Sequence, residues 1–138
     1  METELLKNNA KAFKKSAERS LEQRKLPNGQ IQSLAVPAIV NFAFSIELYL
    51  KYLLIKNGAG FKKVHKLFDL FNLLNTDIKQ EIIKSTTYNQ AEFELLLEQH
   101  TNAFIDWRYL HEKKQNENVD LEFMRRLLDS IERIADKS

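Results

Sequence analysis

The sequence predicts an all-α protein, an antiparallel helical bundle of about five helices around a central apolar helix, 33–57. Three observations predict it. Leu, Ile, Lys and Glu abound while Val is scarce, and only three Gly and two Pro interrupt them, which favours helix over strand. Apolar residues recur at helical spacing along most of the chain. The stretches between carry turn and capping residues. A chain of 138 residues, 43% hydrophobic and 29% charged, has the size and composition of one globular domain spanning 1–138.

The first helix runs from about Glu2 to Arg24, with Leu6, Ala10, Phe13, Ala17 and Leu21 on one face and Lys and Glu on the others. Lys25 to Gln32 contains Pro27, Asn28 and Gly29, a turn signature, after which Ser33 offers an N-cap and Pro37 falls in the opening turns of the second helix. Gly58 suits the residue that ends this helix in a left-handed conformation, and Gly60 continues the break. A short third helix is expected over His65 to Leu74, with Leu67, Leu70, Phe71 and Leu74 on one side. Asn75 or Thr76 caps a fourth over Asp77 to Ser85. Asn89 caps a long one from Gln90 to about Glu112. Asp120 caps the last, whose stripe is Leu121, Met124, Leu128, Ile131 and Ala135.

The second helix is apolar nearly all round. Leu34 to Ile55 has the length of a membrane span, yet it holds Asn41, Ser45, Glu47 and Lys51, so burial in protein is the expectation and no membrane is implied. A bundle this small has little room to enclose one helix, which favours a homodimer that buries part of it; a central helix wrapped by the other four is the alternative. The chain has no cysteine, hence neither a disulfide nor a thiolate metal site, and METELLKNNAKAFKK lacks the apolar core of a signal peptide. A cytoplasmic protein fits both. A net charge of +2 is too mild to imply nucleic acid by itself.

Glu47 and Lys51 are the only charges between Leu34 and Ile55, four residues apart and so on one helical face. Withdrawing a charge from water costs several kcal/mol, roughly, unless a partner answers it. Arg108 is a natural bidentate partner for Glu47, within the polar cluster Arg108, Tyr109, His111 and Glu112. The structural reading is a buried ion pair of Glu47 with Arg108 or with Lys51. The functional reading is a phosphate-binding or RNA-cleaving cleft in which His111 moves protons and Arg108 steadies a phosphoryl oxygen.

His100 shares an apolar stripe with His111, but they are about 16 Å apart along the axis and cannot share a metal. His100 reads as a hydrogen-bonded core residue. Lys51, Lys56, Lys62, Lys63, Lys66 and His65 gather around the glycine turn with no acid between Glu47 and Asp69; they are either a solvated loop or phosphate-binding candidates. No Walker loop, dinucleotide fingerprint, zinc motif or serine-hydrolase elbow occurs, so no cofactor and no metal are expected.

The strings SIELYLKYLL from Ser45, KVHKLFDL from Lys63 after the glycine turn, and WRYLHE from Trp107 resemble, in order and spacing, a HEPN domain. The resemblance covers about residues 33–135. It implies a small helical bundle, commonly dimeric, of toxin–antitoxin, abortive-infection or other defence systems, many of whose members are metal-independent ribonucleases. It also implies a possible partner protein, a cognate antitoxin or a nucleotidyltransferase-type protein. Active members carry Arg, four to six residues, then His; from Arg108 this requires His at 113, 114 or 115, where Lys113, Lys114 and Gln115 stand. The resemblance therefore carries Glu47, Lys51, His65 and Arg108 over as pocket or structural positions without a complete catalytic motif. It implies a non-catalytic or weakly active domain that binds RNA or a nucleotide. The alternatives are a ribonuclease using Arg108 and the nearer His111, and a dimeric interaction module without ligand.

Overall fold

The computed structural model describes residues 2–22, 24–25, 31–32, 35–61, 64, 66–101 and 120–138. They form six helices, each at a place where the sequence predicts one: α1 (Glu2–Ser20), α2 (Ala35–Lys56), α3 (Leu67–Leu73), α4 (Thr76–Thr86), α5 (Gln90–His100) and α6 (Leu121–Lys137). The first helix stops at Ser20, short of Arg24, because Arg24 and Lys25 pair antiparallel with Gln32 and Ile31 in a two-residue ladder. Backbone bonds across a turn leave no side-chain pattern, so composition did not announce this ladder. The turn residues Pro27, Asn28 and Gly29 and the predicted N-cap Ser33 lie outside the described residues.

Ala10 and Ala17 are fully buried against α2, flanked by half-buried Leu6, Phe13 and Leu21, which is the stripe the spacing predicts. Small side chains let the two backbones approach closely. Ser45 Oγ donates to the carbonyl of Ala10 at 2.7 Å, and Asn41 Nδ2 donates to Ser16 Oγ at 3.0 Å. The α2 numbers rise as the α1 numbers fall, so the two helices run antiparallel. Phe13 stacks on Phe44 with ring centroids 4.9 Å apart.

α2 is the axis of the core, with Phe42, Ile46, Tyr49, Leu50 and Leu53 essentially sealed from solvent. By length and composition it could cross a membrane, but 72% of its apolar window is buried inside the bundle. α1, α3 and α6 pack against it, so one chain supplies most of its cover. Its apolarity therefore does not by itself require a second copy. α2 ends in a Schellman turn: Gly58 has φ 75°, its N–H bonds Ile55 O at 3.0 Å, and the Ala59 N–H bonds Leu54 O at 2.8 Å.

α3 begins two residues later than predicted, at Leu67, with Lys66 in extended conformation before it; His65 lies outside the described residues. Lys66 offers no capping side chain, and the Phe68 N–H is satisfied instead by Thr101 Oγ1 at 2.9 Å. The other caps are local. Asn75, Asn89 and Asp120 accept from the N–H of Ile78, Glu92 and Phe123 at 2.9, 2.8 and 3.0 Å. α6 lays Phe123, Leu127, Leu128 and Ile131 into the core, and Ser130 Oγ donates to Ile82 O at 2.8 Å, tying it to α4. The described part of the fifth helix is Gln90–His100, and its predicted continuation, 101–112, lies almost wholly outside the described residues.

Candidate functional site

Helical geometry places residues four apart on one face, and α2 uses this to hold its two buried charges together. Lys51 Nζ donates to Glu47 Oε2 at 2.8 Å, with Glu47 7% and Lys51 8% exposed. The Lys51 ammonium also lies 5.1 Å from the ring centroid of Phe61, a cation–π contact supplied by the chain just after the glycine turn. Of the two structural partners predicted for Glu47, Lys51 is thus present. Arg108 lies outside the described residues, as do His111, Glu112, His65, Lys62 and Lys63.

Lys56, in the last turn of α2, and Lys66, just before α3, are exposed, and neither forms an ion pair with a described residue. Among the described residues no group of His, Asp or Glu could hold a metal ion.

His100 is buried at the end of α5 with both ring nitrogens engaged. Nε2 accepts the backbone N–H of Asp120 at 2.8 Å, which leaves Nδ1 to carry the proton and donate to Leu96 O, also at 2.8 Å. The imidazole therefore ties the C-terminal end of α5 to the N-cap of α6. Together with the Thr101 hydroxyl on α3, it fixes both ends of segment 101–120, which carries Arg108 and His111. Its ring packs 5.2 Å from Phe123.

A second charged cluster escaped the sequence reading. Tyr49, fully buried on α2, donates from its hydroxyl to Glu132 Oε2 at 2.8 Å, and Glu132 Oε1 also takes Lys14. Lys14 reaches Asp129 at 3.0 Å, Lys11 reaches Asp136 at 3.2 Å, and Lys7 reaches Asp136 at 3.3 Å. Burial pushes the Tyr49 hydroxyl up, far above the ordinary tyrosine range, and its bond to Glu132 adds to this. For Glu132 burial acts upward, but the bonds from Lys14 and Tyr49 outweigh it and hold the carboxyl below its usual value. Asp136 is lowered in the same way, burial being outweighed by Lys11 and Lys7. Lys14 is raised: burial acts downward, and the bonds to Glu132 and Asp129 overcome it. The signal available in the sequence was the matched spacing of Lys7, Lys11 and Lys14 with Asp129, Glu132 and Asp136.

Among protein families, the HEPN domain matches residues 3–137. No curated protein and no solved structure matches the chain. The match begins well before the 33–135 over which the motif strings resemble that family, so it takes in α1 as well. Spanning nearly the whole of a helical bundle built around α2, it shows that the chain belongs to the HEPN domain family, helical domains of defence- and toxin-type systems.

Proposed function

We propose that the protein is a non-catalytic or weakly active HEPN domain that binds RNA or a nucleotide beside Glu47 and Lys51, in a defence or toxin–antitoxin setting and as a homodimer. The observation that carries this reading is the buried pair itself. Apolar residues of similar volume often stabilise a core as well as or better than a buried ion pair, so a pair held within the most apolar of the described helices has a use beyond stability. Exposed Lys56 and Lys66 flank the turn that follows α2, where they add positive charge for a phosphate backbone. Arg108 is our candidate for a bidentate phosphate contact, and Lys62, Lys63 and His65 are further candidates by their place in the sequence. The missing His at 113–115 favours binding over cleavage. An antitoxin or nucleotidyltransferase-type protein is the expected partner.

Fluorescence anisotropy with a labelled single-stranded RNA, titrated over a range of salt, tests this. Affinity falls as salt rises, and Arg108→Ala weakens binding and flattens the log–log salt slope by about 0.7, the share of one phosphate contact on a single strand. An unchanged affinity and slope would place the ligand elsewhere. RNA cleavage in EDTA that His111→Ala abolishes would move the protein to the ribonuclease reading. Glu47→Gln that lowers stability or dimer affinity, in a protein that binds no RNA or nucleotide, would leave an interaction module.

A further inference from the structure

α4 and α5 are joined by the short turn Thr87–Asn89 but do not pack closely on each other. α3 closes one end of the space between them, leaving a cleft of about 240 Å³. Its floor is apolar: Phe68 and Phe71 from α3, Ile83 from α4 and Leu97 from α5. The Phe71 ring is held from behind by Phe93, centroids 5.2 Å apart, so this floor is preformed. A cavity of about 150 Å³ lined by such side chains admits benzene, so the cleft has room for a six-membered ring with a short substituent.

The two walls carry opposite charges. Lys79 stands half-buried on the α4 side, and Glu94 stands on the α5 side with its Oε1 steadied by Gln90 Nε2 at 3.0 Å. They do not meet: neither forms an ion pair among the described residues, although salt bridges link α1, α4 and α6 elsewhere on the molecule. A half-buried lysine and an exposed glutamate that line one apolar-floored cleft without pairing with each other suit a ligand that brings both complementary charges. We infer that the cleft between α3, α4 and α5 binds a small zwitterion with an aromatic body, of which a free aromatic amino acid is the simplest case. The ring lies on Phe68 and Phe71, the ligand carboxylate meets Lys79, and its ammonium meets Glu94. Asn72, whose Nδ2 donates to Phe68 O at 2.9 Å, lines the same cleft. The cleft shares no residue with the Glu47 and Lys51 surface, so the two readings stand or fall separately.

L-Phenylalanine is the probe, titrated into the full-length protein and followed by backbone amide NMR. The expected shifts fall on residues 68–97 around the cleft. 3-Phenylpropionate, which lacks the ammonium, and phenethylamine, which lacks the carboxylate, each bind about tenfold or more weakly. Lys79→Gln abolishes the advantage of L-phenylalanine over phenethylamine, and Glu94→Gln abolishes its advantage over 3-phenylpropionate. Both substitutions are on cleft walls outside the core, and unchanged melting temperatures verify the fold. No shift up to the solubility limit of the amino acid overturns the inference, as does binding that both singly charged analogues match. Shifts confined to other surfaces do the same.

Discussion

Tyr49 shows how one hydroxyl can organise a helix interface. Its ring is sealed among the apolar residues of α2, and its oxygen reaches the single point on α6 where Lys14 already compensates Glu132. A bond from a neutral donor to a carboxylate contributes about 1.5 to 3 kcal/mol. Glu132 retains its lysines and some contact with water, which places Tyr49→Phe near the lower end, a loss of about 1.5 kcal/mol in urea unfolding. The substitution also isolates the hydroxyl from the ring, because phenylalanine fills the same volume and opens no cavity. A variant as stable as the parent would mean that the bond to Glu132 contributes nothing net. Glu47 and Lys51 differ from this arrangement in kind. Their mutual bond runs along one helix, whereas the bond of Tyr49 to Glu132 fixes α2 against α6.

At the level of elements, the parts legible in the sequence are those decided within a few residues. Asn75, Asn89 and Asp120 cap helices because a short polar side chain satisfies an N–H three positions on, and Gly58 ends α2 because the turn needs a positive φ. That last assignment carries a paired prediction. A Cβ at Gly58 or at Gly60 meets no atom within 4 Å, yet only Gly58 is in the left-handed region. Gly58→Ala therefore costs about 1 to 2 kcal/mol from backbone strain alone, while Gly60→Ala is near neutral, as thermal unfolding of the two variants will show. What stayed illegible joins distant positions. Thr101 capping α3 and Lys14 meeting Glu132 span 33 and 118 residues, and their registers are set by packing of the whole bundle rather than by local chemistry. The same reason applies to the candidate site: the i,i+4 spacing made Glu47 and Lys51 visible as a pair, but the Phe61 ring over the ammonium depends on the path of the chain after Gly58.

Taken as a whole, the molecule secures α1 by two different means, and only one of them survives acid. On α2 it rests through the small-residue seam of Ala10 and Ala17, which no change of pH alters. Toward α6 it presents Lys7, Lys11 and Lys14 to Asp129, Glu132 and Asp136, with Tyr49 completing the set. The α1 numbers fall as the α6 numbers rise, so these two helices are antiparallel, and α2 and α6 consequently point the same way. Glu132 and Asp136 are held below their ordinary values of 4.5 and 3.8, so the folded state binds their protons less readily than the unfolded chain does. Their contribution is complete above those ordinary values and is lost as pH falls through the lowered ones. Unfolding midpoints in urea should accordingly drop as pH falls below about 5 and on through the lowered values, with a shallower drop in Glu132→Gln, whose side chain no longer titrates. Because the pairs are partly exposed, salt of about 1 M should flatten the parent profile toward that of the variant. Identical acid profiles for the two proteins would assign acid sensitivity to carboxylates elsewhere and leave α1 held by its apolar seam alone.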